Sequence, residues 1–212
     1  GAPSHSIHLK PLAEDALSLP VRTGKARVIG IEPASLVTKS LVREVKTDDA
    51  GCFQSALNPG LTKIAVIERH KRTGKLGIGI LEGYGLTGGA IATTISHDSH
   101  NIVVAGDNDP DMLLAVRELA DMGGGIVSVH GGSIRRLPLP IAGLMTSADP
   151  QEVNAVLHDM LVAARAELGI PEDVEPFMTL SFMALPVIPE LKLTARGLFN
   201  VNTFSFVGVE AD

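Results

Sequence analysis

Residues 63–105 read KIAVIERHKRTGKLGIGILEGYGLTGGAIATTISHDSHNIVVA. Four short apolar or alternating runs lie in this stretch: Lys63–Arg69, Lys75–Leu81, Gly89–Ile95 and Asn101–Ala105. Each has the length of a strand and is bounded by a polar or glycine-rich turn, so all four are predicted strands. Turns this short suit antiparallel pairing. Upstream, Ala26–Ile31 reads as a strand ended by Glu32-Pro33, and Leu36–Val45 alternates enough to be a second. Residues 46–60 are small and polar and close on Asn58-Pro59-Gly60, the chemistry of a loop or hairpin tip. Residues 1–25, punctuated by Pro3, Pro11 and Pro20, read as an extended N-terminal segment, a linker or a cloning scar. Residues 26–212 read as a single domain.

Downstream, Asp109 is the expected N-cap of a helix with Pro110 as its first residue. Met112, Ala115, Val116 and Leu119 share one face of it, and Gly123 stops it. Ile126–Val129 and Ile134–Leu139 are predicted strands joined by Gly131-Gly132. A second helix begins at Pro150 behind the cap Asp149 and carries an apolar stripe from Val153 to Leu168, before Gly169 and Pro171 end it. The apolar segments Met178–Leu185, Val187–Leu193 and Thr203–Val209 are interrupted by Pro186 and Pro189, which predicts edge strands or irregular crossovers. The expected class is α+β: a mostly antiparallel or mixed sheet with a few helices packed on one face. Strand–helix alternation is too sparse for a (β/α)8 barrel.

Composition narrows function. With 45% hydrophobic residues among 212, the chain has ample material for a core and is not a disordered polypeptide. Aromatic residues make up 3%, too few for a platform on which single-stranded nucleic acid stacks. A net charge of −6 opposes binding to phosphate backbones or acidic membranes, and no uninterrupted apolar run is long enough to span a bilayer. The lone Cys52 excludes an internal disulfide and a paired-cysteine zinc site, and fits a reducing cytoplasm.

The densest chemistry is Ser96-His97-Asp98-Ser99-His100-Asn101, between two predicted strands. Imidazole and carboxylate groups together can move protons or bind a metal. A turn whose Ser, Asp and Asn side chains bond their own backbone is the alternative. Glu68 and His70 end another strand, and His70 is placed to face the same pocket as His97 or His100; an exposed polar strand end is the competing reading. His130 reads as a hairpin residue and His158 as a surface residue. Asp107, Asp109 and Asp111, with Glu118, superficially match a calcium loop, but Met112 stands where that loop needs glycine, so helix capping accounts for them better. Gly123-Gly124-Gly125 follows a helix and leads into a strand, which suits close backbone packing and not a phosphate cradle.

The segments KIAVIERH (63–70), GGAIATTISHDSHN (88–101), Gly106–Met112, Gly123–Val127, LPLPIAGLM (137–145) and FMTLSFMALPVIPELKLT (177–194) resemble, in order, the C-terminal part of bacterial adenine deaminases of the amidohydrolase superfamily. Thr146 departs from the serine common there, and residues 46–59 look like a variable insert. The resemblance implies a parent enzyme of purine salvage that hydrolyses adenine to hypoxanthine and ammonia. In that family a hydroxide on a divalent metal (Mn or Fe) attacks the purine, and the metal ligands, including a His-x-His pair, sit in an N-terminal barrel. No His-x-His occurs here, so this chain is expected to hold no metal and to be inactive alone. The expected partners are that barrel, adenine as substrate, and further copies in a homo-oligomer. The 96–101 loop is then expected to help close over the purine through His97, Asp98 and His100. A purely structural or oligomerisation module, and an independent small-molecule or metal-binding protein using His97 and His100, are the alternatives.

Overall fold

In the computed structural model, residues 7–97 and 99–212 are described. Strands β1 (Lys25–Ile31), β2 (Thr38–Glu44), β3 (Leu61–Ile67), β4 (Leu76–Glu82), β5 (Gly89–Thr93), β6 (Ile102–Gly106), β7 (Gly125–His130) and β8 (Ser133–Pro138) form one sheet in the order β2-β1-β4-β3-β6-β5-β7-β8. β1 and β4 pair parallel; every other neighbouring pair is antiparallel. The mixed α+β class and the absence of a closed barrel agree with the reading from sequence. All the strands predicted between residues 26 and 139 form, with ends shifted by a residue or a few.

The helices do not share one face. Helix α1 (Asp109–Asp121) covers one side of the sheet, while α2 (Pro150–Ala166) and α3 (Pro176–Met183) cover the other. The reason lies in the strands. β5 and β6 are buried at every residue, and alternate residues of a strand point to opposite faces. Ile64, Val66, Ile91 and Val103 pack with Met160 and Ala164 of α2 and Leu180 of α3. Ala65, Ala90, Ile102 and Val104 pack with Met112, Ala115 and Leu119 of α1 and with Leu17 of the N-terminal segment. A sheet apolar on both sides needs cover on both. Each fully buried aliphatic side chain stabilises the fold by roughly 1.5–3 kcal/mol.

Local signals mostly hold. The face of α1 forms as expected, but Asn108 is the cap: its Oδ1 accepts from the Asp111 N–H at 2.9 Å. Asp109 instead pairs with Lys63 at 2.7 Å. In α2, Asp149 caps through the Gln151 N–H at 2.7 Å and Pro150 is the first residue. Residues 46–60 are a loop with one short 3-10 turn (Ser55–Leu57), pinned by the Asn58 amide to Lys46 and Gln54. The segment Met178–Leu185 is corrected from strand to helix. Met178, Leu180 and Phe182 alternate with Thr179 and Ser181 at the period of a strand, but Pro176 starts α3 behind the cap Glu175. After it, β9 (Leu191–Thr194), β10 (Gly197–Asn200) and β11 (Ser205–Val207) form a small antiparallel sheet whose Leu191, Leu193 and Leu198 join the core under α2 and α3. No helix among the described residues is long and apolar enough to cross a membrane.

Candidate functional site

Register places the loops that matter at one end of the sheet. Ile67 pairs with both Leu76 and Ile102, Thr93 pairs with Val103 and Ile126, and Gly125 pairs with Pro138. The connections 68–75, 94–101, 122–124 and 139–149 therefore leave the sheet side by side. His70, an exposed residue at the strand end, meets the SHDSHN loop there: its Nε2 donates to the Ser99 carbonyl at 3.0 Å.

The loop folds on itself and leaves its imidazoles outside. Ser96 is buried, with its Oγ 3.2 Å from Ser99 Oγ. The His100 N–H donates to the Ser96 carbonyl at 3.0 Å, and His100 takes a positive φ of 49°. The Asn101 N–H also reaches Ser99 Oγ at 3.4 Å, while His97 and His100 are exposed residues. His97 is anchored from α3: its N–H donates to the Ser181 carbonyl at 3.1 Å, and its ring stacks on Phe182 with centroids 4.0 Å apart. Asn101 is buried, and its Oδ1 has no hydrogen-bond partner among the described residues. Asp98, the remaining candidate of the loop, lies outside the described residues.

Glu68 is occupied by its own turn. Its carboxylate accepts from the His70, Lys71 and Thr73 N–H groups and from Thr73 Oγ1, at 2.6–3.2 Å. Burial opposes its charge, but these hydrogen bonds outweigh it and hold the pKa at about 2. Glu68 is therefore a permanent anion at neutral pH, suited to shaping the loop and not to carrying a proton.

Sequence reasoning passed over Arg69. It is 1% exposed, and burial pulls its pKa below the ordinary guanidinium value. It donates from Nε to the His100 carbonyl and from Nη2 to the Ala142 carbonyl at 3.0 Å, so one side chain joins the 94–101 and 139–149 loops. Thr94 makes the second tie: its Oγ1 donates to the Gly143 carbonyl and accepts from the Gly125 N–H at 2.8 Å. A Cβ on Gly143, where φ is 71°, would stand 2.8 Å from Arg69 Nη1, so the close approach of these loops requires glycine there. In LPLPIAGLM, Leu137 and Leu139 are core while Met145 is 59% exposed beside this junction. The signal for Arg69 was faint: a charged residue two places after the apolar run of β3.

The other sequence candidates are absorbed by structure. Asp107 accepts from the Gly88 and Gly89 N–H groups, and Asp111 bonds the Asn108 amide. His130 Nδ1 donates to the Gly88 carbonyl at 2.8 Å. Among the described residues, no three His, Cys, Asp or Glu side chains converge so as to hold a metal ion.

The adenine deaminase C-terminal domain family matches residues 35–205, a stretch that contains all four loops. The chain is 58% identical over 205 residues to an adenine deaminase of Nitratidesulfovibrio vulgaris, covering 96% of this chain and 35% of that protein. It is 47% identical over 206 residues to adenine deaminase 2 of Carboxydothermus hydrogenoformans, covering 97% and 36%. With the adenine deaminase of Clostridium acetobutylicum it shares 44% over 205 residues, covering 96% and 36%. The chain spans about a third of the length of the curated relatives it matches. It belongs to the adenine deaminase C-terminal domain family.

Proposed function

We propose that this chain is the C-terminal domain of an adenine deaminase, a cytoplasmic enzyme of purine salvage in the amidohydrolase superfamily. Its folded body takes in residues 26–212 together with the N-terminal segment read from sequence as a linker or scar, whose Leu17, Leu19 and Val21 are buried in the core. The parent reaction is hydrolysis of adenine to hypoxanthine and ammonia, on a divalent metal, manganese or iron, held by an N-terminal barrel of the same polypeptide. The carrying observation is the alignment of nearly the whole chain with about a third of proteins named adenine deaminase. Among the described residues no donor set fits a metal, and the metal ligands belong to that barrel.

The contribution of this domain is to cover the barrel mouth with its loop end. Arg69 and Thr94 hold the 94–101 and 139–149 loops together, Phe182 fixes the plane of the His97 ring, and the exposed imidazoles of His97 and His100 offer hydrogen bonds to the purine. Imidazole is suited to this because it donates and accepts near neutral pH. A role confined to packing is the competing reading, and the pairing of Glu68, Ser96 and Ser99 within the loops favours it for those three residues.

His97→Ala and His100→Ala in the complete polypeptide separate the two. Contact with substrate predicts a fall of about tenfold or more in kcat/KM for adenine, the loss of one well-formed hydrogen bond, with the melting temperature nearly unchanged. An unchanged kcat/KM in both variants would leave the loop as a buttress.

A further inference from the structure

A groove of about 650 Å³ runs between the loop after β1 and helix α3. Its apolar lining includes Ile31, Leu36, Val174, Met178 and Phe182. Met178 is 57% exposed and Leu36 38%; grouped apolar exposure of this kind marks a contact surface. Both walls are pre-formed. Lys192, fully buried, donates from Nζ to the Leu36 carbonyl at 2.9 Å and reaches Thr38 Oγ1 at 3.2 Å, fixing one wall. Arg165 donates to the carbonyls of Pro171 and Val174, fixing the turn that forms the other.

The rim is acidic. Glu32, Glu172, Asp173 and Glu175 line the groove against the single cation Arg165. Lys39 pairs with Glu32 at 2.8 Å and Glu175 caps α3, but the Glu172 side chain is 92% exposed and 3.8 Å from Arg165, and Asp173 is exposed. An acidic rim around an apolar floor selects a segment of the opposite pattern. A second copy of this chain, with net charge −6, is a poor complement.

We infer that the groove seats a segment of the N-terminal remainder of the same polypeptide, apolar at its centre and flanked by Lys or Arg. This rests on the reading that the chain is one domain of a longer deaminase, whose relatives carry about twice as much sequence again outside it. Phe182 belongs both to the groove and to the stack on His97. The occupant therefore touches the ring that orients the candidate loop, and docking there fixes how His97 meets the active site.

The test uses the complete polypeptide with a protease site placed ahead of this domain, so that the two cleaved pieces can be scored for association. Met178→Asp and Leu36→Asp, two independent groove variants, should each weaken association at least tenfold. The double variant Glu172→Lys, Asp173→Lys should weaken it as well, and added salt should weaken the parent pair. Phe204→Asp, at a 77% exposed position in the turn between β10 and β11, should leave it unchanged. Pieces that hold together equally well in both groove variants overturn the assignment, as does an equal loss in the Phe204 control. Pieces of the parent sequence that fall apart unaided overturn the domain reading itself. Sedimentation of the uncleaved variants covers the remaining occupant: a lost oligomer with the cleaved pieces still associated gives the groove to a second copy.

Discussion

Where β5 starts and β6 finishes, Asp107 accepts from the Gly88 and Gly89 N–H groups at 2.6 and 3.1 Å, and His130 closes on the Gly88 carbonyl. Beside them Lys63, 3% exposed, is held by Asp109 and the Leu17 carbonyl, each at 2.7 Å. At the opposite end of the same strands, backbone bonds and Arg69 bind the loops together while His97 and His100 stay exposed and, among the described residues, Asn101 Oδ1 goes without a partner. One sheet thus ends in a closed polar network on one side and an open one on the other. Groups whose hydrogen bonds are complete within the fold stabilise it but have little left for another molecule. An orphaned buried oxygen and two exposed imidazoles retain capacity that a ligand or partner can use. Density of polar residues in the sequence does not distinguish the two ends; completeness of pairing does.

Substitutions that probe packing should separate the ends most. A Cβ at Gly89 would meet the Val129 carbonyl oxygen at 1.8 Å, which forces β5 and β7 apart. Gly89→Ala should cost more than about 4 kcal/mol, the range of severe core lesions. Gly143→Ala meets the tip of a side chain, Arg69, where Gly89→Ala meets backbone, and takes a left-handed backbone, for a loss of about 1–2 kcal/mol. Urea unfolding of the two variants measures the contrast, and equal costs would break it.

Lys63→Met tests the closed network directly. It strands the Asp109 carboxylate and the Leu17 carbonyl, and should lower stability by about 3 kcal/mol, as removal of one partner from a buried pair does. A loss below about 1 kcal/mol would show that this end is no more committed than the other.

The smallest effect belongs to Glu68, a strongly held carboxylate at the open end. Its folded pKa of about 2 lies below the ordinary 4.5. Its contribution is therefore complete above pH 4.5 and is lost as the pH falls toward 2. Glu68→Gln should reduce stability by about 1 kcal/mol at neutral pH, discounted for its partial exposure to solvent, and the gap from the parent chain should close in acid. Melting curves from pH 7 to pH 2 follow this, and a gap that widened in acid would reverse the sign of the argument.

Much of the architecture could be read from local physics. The strands between 63 and 105 follow from short apolar runs between turns, the α1 face from Met112, Ala115, Val116 and Leu119, and the start of α2 from Asp149-Pro150, because periodicity and capping act within a few residues. The chain segment bearing the candidate loop was legible for the same reason. Helix α3 was not, since Met178, Thr179, Leu180, Ser181 and Phe182 alternate with the period of a strand. The split of helices between the two faces depends on crossovers that no local pattern encodes. The closing of the 94–101 loop against Phe182, its ties to Ala142 and Gly143 through Arg69 and Thr94, and the acidic groove beside α3 belong to the tertiary structure alone. Strand register brings residues far apart in the chain within a few ångströms, and burial then decides which of their polar groups are satisfied and which remain open.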